Sequence, residues 1–455
     1  MNKGIISVGL DIGSTKVAAV AVEAHDQDMI EIIGFSEVKV PEDAIVRGAV
    51  KNVKQVGMAI RSAISELAMR SDLDIRNVNV GFGGTNIQVS SITPNMVRPT
   101  SASSNEVTQT DVDQLIRDLY RAQTEPNNEV MHIIPGEFTV DNGKGVKEPV
   151  GRIGVRLGGQ FLVVASNKQV IDATRNSLKW ADPELIHEQL LLSPIAAGLA
   201  VLNDEEMAAG TALVDIGDHV TDIVIYHDGV VRHIVSIPIG GSQITSDLKI
   251  GCGIQKNNAE SLKQQHGEGL SEPIPLNIEI LVNYLRGREP KRVLKKNVAL
   301  IIEERLKELA ALVYAEILES GFADQLVGGL VLTGGTANLP DIETVFSRVA
   351  GGMPVKVGIP AGLANTPKAD EVANTLYATA VGLAWAGIKR VDPRLDSICP
   401  TPAAPPKKPP VRDSRSYNSG EQNSNPDSGG LFPGWNLKNL FGGGDNKNDK
   451  TGGGY

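Results

Sequence analysis

Val8-Gly9-Leu10-Asp11-Ile12-Gly13 runs through Ser14-Thr15-Lys16 into the apolar stretch Val17-Ala18-Ala19-Val20-Ala21-Val22. The order is that of a strand, a tight turn and a second strand. The same order returns as Ala212-Leu213-Val214-Asp215-Ile216-Gly217, followed by Thr221-Asp222-Ile223-Val224-Ile225-Tyr226. The two aspartates stand 204 residues apart. That spacing is too long for a stacked solenoid repeat and suits two related domains.

A turn of this kind has a chemical use. Glycine lets the backbone approach a phosphate closely, and successive N–H groups of the turn then point at the anion. In the first turn Gly13, Ser14 and Thr15 supply donors, Lys16 adds a positive charge, and Asp11 is placed to hold a hydrated magnesium ion. In the second turn Asp215, Gly217 and Thr221 are expected to do the same work. One Asp-x-Gly turn would read equally well as a structural hairpin; two at domain-scale separation argue for a shared anion site. A third element, Val331-Leu332-Thr333-Gly334-Gly335-Thr336-Ala337-Asn338-Leu339-Pro340, reads as a buried strand entering a Gly-Gly turn, where backbone can close on an adenosine.

These three elements together resemble the actin superfamily of ATPases, which grips a nucleotide between two domains. The resemblance extends to Ile237-Pro238-Ile239-Gly240-Gly241 before a short helix at 244–248, and to Asn258-Ala259-Glu260-Ser261-Leu262-Lys263. It implies that Gly240 and Gly241 belong to the site, that Glu260 and Lys263 contact ribose and base, and that Gly334, Gly335 and Asn338 lie at the adenosine. ATP and Mg²⁺ are the implied cofactors, with Asp11 and Asp215 on the metal side. The second turn departs from the Asp-x-Gly-Gly-Gly-Thr-Thr pattern common in the superfamily. Asp218 and Val220 are similar to actin's own version, and His219 brings a side chain to a position usually held by glycine. No general base is identifiable, so ATP is expected to act mainly as a conformational ligand, with weak hydrolysis at most.

Three further stretches narrow the family. Glu106-Val107-Thr108-Gln109-Thr110-Asp111-Val112, His132-Ile133-Ile134-Pro135-Gly136-Glu137-Phe138 and Pro149-Val150-Gly151-Arg152-Ile153-Gly154-Val155-Arg156-Leu157 resemble the subdomain inserted in the FtsA family of bacterial division proteins. The expected fold is α/β: an actin-like (ribonuclease H-like) two-domain architecture with a small inserted α/β subdomain and a disordered C-terminal tail. The first domain takes 1–84 and 167–210 with 376–395 returning to it, the insert 85–166, and the second domain 211–375. Apolar residues at helical spacing predict helices over 53–69, 105–120 and 301–318, and strands over 78–82, 161–165 and 330–332. A kinase or chaperone ATPase of the same superfamily, or a pilus-assembly actin homologue, is the alternative reading.

The family resemblance also implies partners. Lys291, Arg292, Lys295, Lys296 and Arg305 cluster on or just before the helix at 298–318; as a bare charge run this is a solvated helix face. By resemblance it receives the acidic C-terminal tail of the tubulin-like FtsZ. Later division proteins are expected on the insert, and self-association into filaments is implied.

Composition bounds the rest. Lys plus Arg number 44 against 54 Asp plus Glu, a net −10, which gives no reason to expect nucleic acid. Two cysteines, Cys252 and Cys399, make neither a disulfide framework nor a zinc site. The N-terminus is too short and Gly-interrupted to read as a signal peptide, and the longest membrane-like stretch, 376–388, falls short of the roughly 20 residues a spanning helix needs. Eight of the 25 prolines lie between 400 and 433, which marks 396–430 as a linker. After it, Leu431, Phe432, Trp435, Leu437, Leu440 and Phe441 form an imperfectly amphipathic segment over 431–442, expected to lie on the inner face of the cell membrane at the division site. Docking of these aromatics on a protein partner is the other possibility.

Overall fold

The computed structural model describes residues 4–24, 29–98, 106–122, 126–283 and 288–389. The linker at 396–430 and the expected membrane residues Leu431, Phe432, Trp435, Leu437, Leu440 and Phe441 lie outside the described residues, as does Cys399.

Two sheets repeat one topology. The first runs, edge to edge, Ile186–Leu192, Asn77–Phe82, Ile5–Ile12, Lys16–Ala24 and Ile30–Lys39. The second runs Val355–Val357, Gly329–Thr333, Thr211–Ile216, Thr221–His227 and Val230–Ile237. In each, a meander of three antiparallel strands continues through parallel pairs. The two hairpins recognised in the sequence match residue for residue: Asp11 stands opposite Ala18 and Asp215 opposite Asp222. Their turns close with the same bond, Gly13 N–H to Lys16 O and Gly217 N–H to Val220 O, both 2.9 Å.

Both faces of each sheet are covered, which is why these strands read as continuous apolar runs. In Lys16–Ala24, Val17, Ala19 and Ala21 enter one core, packed by the helices Val53–Ser71 and Lys168–Ala181. Ala18, Val20 and Val22 enter another, formed with helices Ser193–Val201 and Ala378–Lys389. The second sheet supplies Leu213, Val224 and Val331 to that same central core. Its opposite face packs on the helices Gly241–Cys252, Lys256–His266, Lys295–Glu319 and Ile342–Val349. The result is a layered order of helices, sheet, helices, sheet, helices.

The central helices owe their closeness to small residues. The Ala- and Gly-rich run at 376–388 is a buried core helix, and a Cβ on Gly382 would overlap the Ala196 carbonyl of the neighbouring helix. Among the described residues no helix is long and apolar enough to cross a membrane.

A third sheet, Gly143–Val146, Asn128–Val140, Arg156–Asn167 and Ile87–Ile92, with Asn95–Val97 also on Arg156–Asn167, occupies the region read as the insert. One face carries its own core with helix Gln109–Ala122; the other sends Ile134, Leu162 and Val164 into the central core. That helix starts at Gln109, later than the expected 105. Thr108 and Asp111 bond reciprocally, with Thr108 N–H to Asp111 Oδ2 at 2.8 Å, and this cap fixes the first turn. The helix expected from 301 begins at Lys295, because the hairpin Glu279–Val282/Lys291–Leu294 feeds straight into it. Helix Val53–Ser71 starts where read, its Asn52 side chain accepting from Gln55 N–H at 3.1 Å, and ends on Asp72 at φ 55°.

Candidate functional site

The two hairpin turns line opposite walls of one cleft of about 1070 Å³. That is ample for a nucleoside triphosphate by the ~300–1,000 Å³ scale of ligand pockets. Asp11, Gly13, Ser14, Thr15 and Lys16 form one wall; Asp215, Gly217, Asp218 and His219 form the other; Gly334, Gly335 and Asn338 lie along it with Glu260. Gly334 takes φ +87°, and a Cβ there would overlap Asp215 Oδ1 and crowd the Ile216 carbonyl. Glycine is therefore required for this turn to meet the second hairpin.

Three carboxylates dominate the electrostatics. Burial pushes Asp11 up to about 6, against the pull of Lys16. Burial, with Asp222 and Asp11 nearby, pushes Asp215 up to about 7. Asp222, whose carboxylate accepts from the Ser236 hydroxyl, is pushed up by burial to about 6. The sequence motif by itself assigns Asp222 no role; its cue is its register, directly across the antiparallel pair from Asp215. Among the described residues no three such side chains are grouped closely enough to hold a metal ion directly, so a cation that keeps its water shell is the partner these buried oxygen donors suit. Lys16, the nearby cation, bonds Glu37 at 2.8 Å and stacks 4.6 Å from the Tyr377 ring, so part of its charge is committed.

The cleft floor also escaped the sequence reading. Gly81, Gly83 and Gly84, at the end of strand Asn77–Phe82, line it together with Ser193. A Cβ on Gly81 would lie 2.8 Å from Ser193 Oγ, and one on Gly83 would lie 3.7 Å from Asp222 Oδ2. Gly84, at φ +107°, meets Arg47 and Gly48 backbone to backbone.

Several expected contacts are placed differently. Thr221 is wholly buried and donates its hydroxyl to the Ile239 carbonyl at 2.8 Å, so it braces the turn from behind and does not line the cleft. Gly240 and Gly241 likewise back the turn: Gly241 N–H donates to Gly217 O at 2.9 Å, and a Cβ on Gly240 would lie 2.5 Å from that oxygen. Lys263 is buried, its ammonium donating to Gly241 O at 3.1 Å and Thr245 Oγ1 at 2.9 Å and pairing with Glu260 Oε2 at 2.8 Å. Glu260 is held in turn by Thr245 and by Gln264, whose amide donates at 2.8 Å. Lys263 nevertheless lines the cleft with Glu260, so it both fixes the wall and forms part of it. At the cleft mouth Lys256 pairs with Glu42 from the opposite wall.

The cationic cluster is more divided than its sequence suggests. Lys295 lines the cleft and pairs with Glu268. Arg305 bonds Asp247 at 2.6 Å and also pairs with Glu308. Lys291 and Arg292 sit exposed on the hairpin strand, Arg292 3.2 Å from Glu279. Lys296 is half-buried on the first turn of the helix. Exposed Leu281 stands opposite Arg292 in the hairpin, and exposed Leu294 ends the same strand.

Comparison with known proteins accords with this geometry. The family pattern described as "Cell division protein FtsA" matches residues 212–382, and that described as "SHS2 domain inserted in FTSA" matches 87–165. The cell division protein FtsA of Escherichia coli (strain K12) is 31% identical over 384 residues, 83% of this chain and 89% of that protein. That of Enterococcus faecalis is 32% identical over 349 residues, 77% of this chain and 78% of that protein. Among solved structures, one of the PilM-PilN type IV pilus biogenesis complex superposes with a TM-score of 0.58 at 17% identity, over 84% of this chain and 98% of the other. This last likeness concerns the fold alone.

Proposed function

The chain belongs to the FtsA family of cell division proteins and has the actin-like fold with an inserted SHS2 domain, and from that premise we propose that it binds ATP with Mg²⁺, polymerises, and ties FtsZ filaments to the inner face of the cytoplasmic membrane. The observation that carries the nucleotide reading is the meeting of two matched hairpin turns and three buried carboxylates on one cleft. With Gly13 and Gly217 N–H spent on closing their own turns, the backbone N–H groups of Ser14 and Thr15 and of Asp218 and His219 would cradle phosphate oxygens. Asp11, Asp215 and Asp222 would hold the hydrated metal, which neutralises phosphate charge when bound. The wall of Gly334, Gly335, Asn338 and Glu260 would take the nucleoside.

The residues themselves do the rest. Both hairpins send side chains into the core around the central helices, so a ligand that grips both would fix the angle between the sheets, and that angle would govern whether protomers fit end to end. The exposed Lys291 and Arg292, with exposed Leu281 and Leu294 on the same hairpin, suit the acidic FtsZ tail, with Lys295, Lys296 and Arg305 contributing behind them. The aromatic segment from Leu431 to Phe441 would supply a weak lipid anchor. Its six apolar side chains, each worth roughly 1.5–3 kcal/mol if fully buried, become effective when lined up along a filament. Later division proteins would meet the inserted domain.

The test is twofold. Titration with a fluorescent ATP analogue should show magnesium-dependent binding in the intact chain. Liposome sedimentation should pellet FtsZ with the intact chain and ATP, and not with a chain ending at Pro400. Pelleting of FtsZ to the same extent by both proteins would end the tether assignment.

A further inference from the structure

Behind the cleft lies a buried side chain that belongs to neither wall. His132, on strand Asn128–Val140 of the inserted sheet, is 2% exposed. It stands opposite Val164 on the face turned to the central core. Its Nε2 accepts from the backbone N–H of Leu192 at 3.2 Å, and its ring lies 5.8 Å from that of Phe82, tilted by 37°.

Both of these contacts are one step from the cleft. Leu192 and Phe82 face each other as the last rung of a parallel strand pair in the first sheet. Phe82 itself lines the cleft, and so does Ser193, the residue after Leu192. Strand Ile186–Leu192 is the edge of its sheet, so an N–H there has no next strand to pair with. A buried backbone donor without a partner is costly, and the imidazole supplies one. Burial pushes His132 down to about 4, so at neutral pH the ring is uncharged and Nε2 keeps the lone pair that accepts this bond.

We propose that His132 is a positioning residue of the cleft, contributed by the inserted domain, which fixes the strand ends bearing Phe82 and Ser193 and so makes the cleft and the inserted domain thermodynamically linked sites. The linked-site part rests on the reading of the cleft as a nucleotide site; the positioning part does not. A nucleotide that orders the floor at Gly81, Gly83 and Ser193 also favours the arrangement His132 holds. By reciprocity, whatever docks on the inserted sheet and shifts its strand Asn128–Val140 alters nucleotide affinity by the same factor.

The experiment uses the full chain with His132→Leu, His132→Gln and His132→Asn. Leu fills the site without an acceptor, Gln carries an amide oxygen about as far from the backbone as Nε2, and Asn stops one bond short. Without nucleotide, amide exchange at Phe82 to Thr85 and at Leu192 and Ser193 should quicken about tenfold or more in the Leu and Asn variants and return towards wild type in Gln. With magnesium ATP as the probe, affinity should fall roughly fivefold in Leu and Asn and recover in Gln. Nucleotide-dependent protection of Asn128–Val140 should be present in wild type and lost with Leu. Equal exchange in all four proteins would overturn the proposal, as would faster exchange spread evenly over the whole chain in all three variants. A Leu variant with wild-type affinity and wild-type protection would overturn it too. A wild type that binds no ATP sinks the nucleotide reading instead, and the exchange at Leu192 and Phe82 then decides the positioning role alone.

Discussion

Replacing Asp215 by Asn should make the nucleotide-free protein more stable and a worse binder of magnesium nucleotide, and the gain in stability should depend on pH. Below pH 3.8 the carboxyl is neutral in folded and unfolded chains alike, so nothing distinguishes the two proteins there. As pH rises through about 7, the folded wild type must ionise a group that burial, then Asp222 and Asp11, hold up from 3.8. The stability tied to its neutral form is lost over that window. At 1.36 kcal/mol per unit, the difference amounts to at most about 4 kcal/mol, and relaxation around the charge brings the expected gain at pH 8 to about 2–4 kcal/mol. Asn is close in shape and can still accept from Thr379, whose hydroxyl lies 3.4 Å from Asp215 Oδ2. Thermal unfolding from pH 4.5 to 8, with nucleotide omitted, reads the gain; titration with magnesium ATP should show affinity falling at least about tenfold, the loss of one close charge–metal contact. A variant no more stable than wild type at pH 8, or one stabilised equally at every pH, would refute the electrostatic argument.

Gly334→Ala combines a positive φ with an overlap on Asp215, and should cost about 2 kcal/mol by urea midpoint while reducing nucleotide affinity. Lys291→Glu together with Arg292→Glu should weaken binding of an FtsZ tail peptide about tenfold in low salt and less in high salt, by fluorescence anisotropy, with nucleotide affinity unchanged. Lys295→Glu, in contrast, sets two acids against each other at the cleft wall beside Glu268, and nucleotide titration should register it. Lys263→Met leaves the Gly241 carbonyl and Glu260 without their cation and should destabilise the chain by about 1–3 kcal/mol, read by thermal unfolding.

The duplicated hairpins were legible because their information is local: an apolar run, an Asp-Ile-Gly turn and a second run state both the strands and the turn. The shared sheet order follows from two copies of that signal. What stayed hidden is information carried between distant segments. Lys263 reads as a ligand contact and does line the cleft, but nothing in the sequence announces its bond to the Gly241 carbonyl, 22 residues away. Lys295 and Arg305 read as one cationic patch with Lys291 because their acidic partners, Glu268 and Asp247, precede them by a helix or a hairpin. The cleft floor is the extreme case: Gly81, Gly83 and Ser193 carry no motif, and come together through a parallel strand pair whose members are more than a hundred residues apart.

The crossing of the two central helices at Gly382 and Ala196 has a mechanical reading. At Gly382 main chain rides on main chain, while Ile195, Val381 and Leu383 pack in the core beside that point. The crossing therefore sets how near the two helices lie, and a methyl group at Gly382 would act as a wedge that drives them apart.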